Sequence, residues 1–392
     1  MRLLVVLLLC VSTAAFASVN MRGFVGTEFR YFAHEGLYGN DDQFHISPSF
    51  EPEWYYESED MNHLITFKPY FRLDSVDADR SHWDIRDLSW LGVYGDMEWR
   101  VGLRKVFWGV TETQHLVDII NQTDLVESPD GEDKLGQPMV NVSFAKSYGT
   151  IDLFVLPFFR ARTFPGVDGR FRASLPVSTS PEYESHLGDR HIDWAARWSH
   201  SVSVFDIRVS YFSGTSRDPI MQLESTPEGG YELVPLYTLI QQRSLDLQAT
   251  LGAWLLKFEG LSRQHQDDVY SAFVSGFEYS FYAVKGTSVD VGFLSEYHYD
   301  DRGSDASTPF QDDVFLGTRI ALNDIQSTEV LAGATTDVNS SATFFNVEAS
   351  RRIGDRLKLI GEFRAFMDVP SDDLFSSYSQ DDYALVTLEY YF

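Results

Sequence analysis

The sequence predicts an all-β fold, a transmembrane antiparallel β-barrel of about 18 strands, with about 16 as the alternative count. Three observations carry this. Apolar and polar residues alternate with period two from one end of the chain to the other. Short turns and longer polar loops take turns between those runs. The chain also reads as exported, yet past its leader no apolar stretch is long enough to cross a bilayer as a helix.

The leader comes first. Arg2 supplies a positive start, Leu3 to Val11 a short apolar segment, and Ala15-Phe16-Ala17 a small-x-small cleavage site, so residues 1–17 are expected to be a signal peptide. Cys10 follows Leu9, where lipidation would want a small residue, and beyond it the chain has no cysteine. An exported chain of this size without disulfides needs a large core or a closed hydrogen-bonded shell. Residues 18–392 are read as one barrel domain.

The strands follow in order. Met21, Val25, Phe29 and Tyr31 share a face opposite Arg22, Glu28 and Arg30. Ile46, Phe50, Trp54 and Tyr56 oppose Ser47, Ser49, Glu51 and Glu53, and Ile65, Phe67 and Phe71 oppose Lys68, Tyr70 and Arg72. Pro48, Pro52 and Pro69 fall on the apolar faces, where each removes a ladder donor. The pattern falters at Trp83–Tyr94, where Asp87 lands on the apolar side unless a bulge intervenes. It falters again at Tyr237–Ala249, where Gln241 and Arg243 interrupt the apolar face. Clean alternation resumes at Ser271 and continues to Ala384, Val386, Leu388, Tyr390 and Phe392.

Tight links are expected at Ser58–Asn62, Gly95-Asp96, Ser147–Gly149, Ser199–Val202, Gln241–Ser244, Lys285–Thr287, Asn323-Asp324 and Ile353–Asp355. Mostly longer loops fall between them, among them His34–Gln43, Gly109–Gln137, Arg160–Arg190, Gly214–Gly230 and Asp368–Gln380. One end of the barrel then carries the turns and the other the long loops.

The net charge of −27 gathers in the loops, as at Asp130-Gly131-Glu132-Asp133 and Asp372-Asp373. Solubility explains such loops; divalent cations bridging lipopolysaccharide phosphates are the sharper reading, and no EF-hand spacing is present. An acidic outer face argues against nucleic acid as a partner. Basic residues sit instead on the polar strand faces. Arg30, Lys68, Arg72, Arg86, Arg100 and Arg104, with Tyr70 among them, are the candidate pore lining, a wall that would favour anions. Glu28, Glu51, Glu53, Asp74, Asp84 and Glu98 face the same way, so across-lumen ion pairs are the competing reading.

The third long loop, Gly109–Gln137, is the candidate constriction, through Trp108, Glu112, His115 and Asp118. Leu116, Ile119 and Ile120 have helical spacing. The loop either folds inward or forms an outward lid. Arg160–Arg190, with Phe164, Pro165, Arg170, Arg172 and Pro181, is the second candidate plug.

Two stretches carry a resemblance. The alternating terminal strand ending on Phe392 resembles the last strand of Gram-negative outer-membrane barrels, which implies recognition by the barrel-assembly machinery and residence among outer-membrane lipid and lipopolysaccharide. Gly102-Leu103-Arg104-Lys105-Val106-Phe107-Trp108-Gly109, followed by Asn121 and Asp124, resembles a motif of porin-like proteobacterial families, among them alginate-export and carbohydrate-selective barrels. Leu103 and Lys105 depart from its usual form, so no substrate comes with it. The resemblance implies passive or gated passage of small solutes, with no cofactor and no chemistry. A lipid or hydrophobic-compound transporter is the alternative. An enzyme fits poorly, because the ten histidines are scattered and no nucleophile elbow accompanies them.

Overall fold

Eighteen strands pair antiparallel into one sheet, and the first also pairs with the last, so the sheet has no edge. The computed structural model describes residues 19–39 and 42–392; the expected signal peptide lies outside them. The wall runs β1 (Val19–Phe32), β2 (Phe44–Glu57), β3 (His63–Arg72), β4 (His82–Tyr94), β5 (Met97–Arg104), β6 (Gln137–Lys146) and β7 (Gly149–Leu156). After a short strand outside the wall, β8 (Glu182–Tyr183), come β9 (Asp193–Val202) and β10 (Phe205–Thr215). Two more strands outside the wall, β11 (Ile220–Ser225) and β12 (Tyr231–Tyr237), precede β13 (Leu239–Leu251), β14 (Trp254–His265) and β15 (Asp268–Phe281). The wall is completed by β16 (Asp290–Asp300), β17 (Asp312–Ala321), β18 (Glu329–Asp337), β19 (Thr343–Ile353), β20 (Leu357–Met367) and β21 (Tyr383–Tyr391). Strands β8, β11 and β12 form a separate small sheet among the long loops. No helix of the described residues is long and apolar enough to cross a membrane, which does not bear on strands.

The wall is apolar outside and charged inside. Val25, Phe67, Leu88, Phe293 and Leu316 project outward, Leu316 being 62 % exposed, while Glu259 and His298 on inner faces are fully buried. Soluble sandwiches do the reverse; this is the distribution of a barrel whose outside is solvated by lipid. Closure matters for the same reason, since lipid offers no partner for an unpaired strand edge.

Two irregularities have physical causes. The β3–β4 register shifts so that Lys68 faces Asp87 and Pro69 faces Ile85, leaving Arg86 as the extra residue. That bulge brings both Arg86 and Asp87 inside, and so resolves the broken alternation. Pro52 and Pro69 lie opposite one another where the β2–β3 ladder is interrupted between Phe50↔Phe71 and Trp54↔Phe67. Neither has an N–H, so the gap strands no donor there.

Two expected turns are misplaced. Ser199–Val202 is the end of β9, and its turn follows at 203–204. Gln241–Ser244 lies within β13, and the turn falls instead between Leu251 and Trp254, at Gly252 with φ +65°. Gln241 and Arg243 are exposed on the outward face toward the long-loop end, where Tyr211 donates to Gln241 at 2.9 Å. They are a polar rim above the apolar band. The loop expected over Gly214–Gly230 extends correspondingly over 216–238 and contains the β11–β12 hairpin.

Candidate functional site

Gly109 begins the inward turn of the third loop. Its φ of +147° suits glycine, and a Cβ there would meet His115 Nδ1 at 2.8 Å and Glu259 Oε1 at 3.0 Å. Beyond it the chain crosses to β14 and β16; from β5 to β16 the wall passes β6, β7, β9, β10, β13, β14 and β15, close to half of the ring. Two wall carboxylates receive it. Glu259 accepts from Val110 N at 2.6 Å, Thr111 N at 2.9 Å, Thr111 Oγ1 at 2.7 Å and Val117 N at 3.2 Å. Glu296 accepts from Glu112 N at 2.7 Å, Thr113 N at 3.0 Å and Thr113 Oγ1 at 2.7 Å. Backbone donors that would otherwise be stranded inside the barrel are thereby satisfied.

The four loop residues singled out from sequence have separate roles. Trp108 is buried against Phe154, under the Arg197 guanidinium 4.7 Å above its ring. Glu112 pairs with Arg319 at 2.7 Å and Lys257 at 3.4 Å. His115 lies 3.3 Å from Glu132 and 3.8 Å from Glu259. Asp118 accepts from Trp108 N at 3.3 Å and stands 3.7 Å from Lys134. No helical turn forms at 116–120. Val117, Ile119 and Ile120 instead bury themselves with Met139, Leu156, Phe212 and Ile240 on the inner wall. Asn121 staples the loop's two ends: its side chain accepts from Val106 N at 2.8 Å and donates to Arg104 O at 2.9 Å and Leu135 O at 2.8 Å.

The returning limb settles on the basic wall. Glu127 meets Arg72 at 2.9 Å, His82 at 3.2 Å and Arg86 at 3.5 Å, and accepts from Tyr70 Oη at 2.8 Å. Arg86 also meets Asp124 at 2.5 Å. Arg80 pairs with Glu28 at 3.0 Å and Asp74 at 2.9 Å while donating to the backbone oxygens of Val126 and Glu127. Arg30 pairs with Glu28 at 2.9 Å, Lys68 with Glu51 at 2.6 Å, and Arg100 with Glu98; Arg104 donates to the Asn141 amide oxygen at 3.3 Å. Much of this wall is thus a seat for the third loop, and carboxylates occupy the places a passing anion would take. Burial alone would raise the Glu127 carboxyl, but Arg72, His82, Arg80 and Arg86 hold it well below its ordinary value. The donor atoms of His82, Asp124 and Glu127 lie within 4.8 Å of one another. With Arg72, Arg80 and Arg86 among them, this is an ion-pair cluster and does not fit a metal.

Space remains toward the long-loop end. A cavity of about 1060 Å³ lies between the loops, and a smaller one of about 140 Å³ runs beside His115, Asp118 and Lys134. Arg162, Asp218, Arg263, Tyr270, Arg302 and Ser307 line both, so this cluster stands where the two adjoin and is the candidate throat. Asp218 accepts from Arg162 at 2.9 Å and from Arg263 at 2.8 Å. Arg302 forks onto Asp300 at 2.9 and 2.7 Å and lies 3.7 Å over the Tyr270 ring. Burial would raise the Asp218 carboxyl, yet Arg263 and Arg162 hold it far below its usual range. Three guanidiniums against two carboxylates leave one positive charge over.

This throat was not visible in the alternation pattern. Arg162 comes from the loop flagged as the second plug, but Asp218, Arg263 and Arg302 lie at loop and strand ends far apart in sequence. That loop is itself pinned across the mouth, where Arg170 pairs with Asp381 at 2.6 Å and covers the Phe32 ring at 4.2 Å.

The loop carries its own pH dependence. Burial opposes charge on His115, but Glu132 and Glu259 raise its pKa to about 10. Its folded value lies above its ordinary one, so the ion pairs contribute fully below about 6.5 and are lost as pH rises through about 10. Conductance across a bilayer is expected to stay level through neutral pH and to rise as pH passes about 10. His115→Gln should remove that step; an unchanged step would assign it to another group.

No protein-family model matches the sequence, and no curated protein does. Among solved structures, one described as "Asymmetric conductivity of engineered proteins" is similar at 14% identity, with a TM-score of 0.46 over 96% of this chain and 100% of that one. A Rhodopseudomonas blastica porin is similar in several mutant forms. A form of it with two introduced tryptophans is 12% identical, and a form with a lysine and an arginine changed to alanine is 13% identical. Each has a TM-score of 0.46 over 96% of this chain and 100% of that one. Likeness at that level leaves the reading of this barrel to its own geometry.

Proposed function

We propose that the protein is a channel of the bacterial outer membrane, through which small polar solutes pass a lumen narrowed by the third loop. The observation that carries this is the inside-out closed barrel, apolar on its outer face and charged within. An 18-strand ring encloses more room than side chains alone fill, and here a loop takes up much of the remainder. The long-loop end faces outward, so its acidic loops meet the lipopolysaccharide surface. Charge discrimination is assigned to the Arg162, Arg263 and Arg302 throat rather than to the wall around Arg72 and Arg86, whose charges are already met.

The test is refolding in detergent, insertion into planar bilayers, and measurement of conductance and reversal potential across a salt gradient. Ohmic steps with a modest anion preference are expected. Arg263→Gln with Arg302→Gln should move the reversal potential toward cations, whereas Arg100→Gln with Arg104→Gln should move it less. The opposite ranking would return selectivity to the strand wall. Folded protein that inserts without conducting would overturn the channel reading.

A further inference from the structure

The larger cavity is lined by apolar and charged side chains together. Phe164, Pro165, Leu175, Pro176, Leu374 and Phe375 contribute apolar surface, and the prolines present no backbone donor that would hold water there. The same lining holds Arg162, Arg263 and Arg302, with Arg162 and Arg263 sharing the single carboxylate of Asp218. A vestibule that only collected inorganic ions would have no use for the apolar surface. One that only gathered lipid would have no use for the arginines.

The walls are fastened. Ser178 N donates to Leu233 O and Leu233 N to Pro176 O, each at 2.8 Å, tying the β7–β9 connection to β12. Phe375 packs among Phe344, Phe366 and Tyr378, with ring centroids 5.5 to 5.9 Å away. A pocket built before its ligand arrives avoids the ordering cost of forming it. Its volume of about 1060 Å³ lies just above the range of about 300–1,000 Å³ for small-molecule sites.

We infer that this cavity is a binding pocket for a carboxylate carried on a compact apolar body, such as an alkyl-substituted aromatic acid. The acid group would take Arg263 Nη2, the nitrogen left when Nε donates to Gln242 and Nη1 to Asp218, and would lie beside the Arg302 guanidinium that forks onto Asp300; the hydrocarbon would lie against Phe164, Leu175 and Phe375. Charge complementarity selects this occupant: the guanidiniums of Arg162, Arg263 and Arg302 are three against the carboxylates of Asp218 and Asp300, which leaves a place for a further anion held by a charge-assisted hydrogen bond. The pocket stands on the outer approach to the throat, so the inference names a substrate class for the proposed channel and rests on that reading for the direction of passage.

The probe is 4-tert-butylbenzoate, with its neutral amide and acetate as controls, applied to the full refolded chain in two measurements. By calorimetry in detergent, the benzoate should bind, the amide about tenfold more weakly, and acetate more weakly still, by at least about tenfold. In bilayers, the benzoate should interrupt the current from the long-loop side in the same order of strength. Arg302→Gln, which removes a lining charge, and Ala173→Trp, which fills part of the cavity, should each weaken binding about tenfold. Two variants at separate positions keep the test open should one of them misfold.

Acetate matching the benzoate would overturn the pocket and leave a simple anion throat. So would a conducting channel that shows neither heat nor block, or variants that both bind as the unaltered chain does. Silent bilayers with calorimetric preference for the benzoate over the amide would keep the pocket and overturn the channel.

Discussion

Replacing Glu259 and Glu296 together by glutamine is expected to raise single-channel conductance severalfold and to make the current flicker. These two carboxylates hold the far side of the third loop through seven hydrogen bonds, four to Glu259 and three to Glu296. Hydrogen bonds to a charged acceptor contribute about 1.5–3 kcal/mol each. An amide keeps one acceptor but turns an N–H toward backbone N–H groups, so a net loss on the order of 3–5 kcal/mol is expected for the pair. That approaches the roughly 5.5 kcal/mol that carries a two-state loop from 99:1 anchored to 1:99, so a large released fraction is expected. The near side should stay in place, because Val117, Ile119 and Ile120 remain packed in the apolar cluster and Asn121 still staples the ends. The barrel should therefore fold and insert as before, with a freed segment inside it. Unchanged conductance in the folded double variant would show that the segment at 110–117 is not the constriction.

Replacing Glu127 by alanine is expected to lower the unfolding temperature of the barrel and to loosen the returning limb. Arg72, Arg80, Arg86, Tyr70 and His82 converge on this buried group or its backbone oxygen. Without the carboxylate, Arg72 and Arg86 keep Glu28 and Asp124, respectively, but lose their common partner. Removing one member of a buried ion cluster costs about 3–5 kcal/mol, because the charges left behind stay buried. The gel shift that separates folded from unfolded barrel should therefore occur at a lower temperature. Glu127→Gln, which keeps an acceptor for Tyr70, should be intermediate. The pH sign follows from the depressed pKa: the Glu127 contribution is present above about 4.5 and is lost as pH falls toward its folded value. Acid should thus narrow the difference between Glu127→Ala and the unaltered chain. A gap that stays constant from neutral to acid pH would mean that packing, not charge, sets the effect.

The legible parts of this protein are those written in nearest neighbours. A strand's two faces differ because successive side chains point oppositely, so Val25 beside Gly26 and Phe67 beside Lys68 already declare lipid and lumen. The same logic located a fault at Asp87, which the bulge at Arg86 answers. It misjudged Gln241–Ser244, because polar residues on an outward face read as a turn when they are a rim beyond the apolar band. Position in the chain marked the third loop, and helical spacing within it misled, since Val117 rather than Leu116 joins the buried set.

From the sequence alone come the all-β class, the strand count, and the turn and loop ends, because period-two patterning and connection length are local and lipid tolerates only a closed sheet. The tertiary structure alone decided which charges are spent and which are left. Whether Arg86 lines a pore or seats a loop depends on Asp124, 38 residues away, and whether Arg263 is a wall residue or a throat depends on Asp218, 45 residues away. Ion pairs of that span carry no period. They exist only once closure of the barrel brings distant loops into one mouth, where burial makes an unpaired charge too costly to leave unanswered.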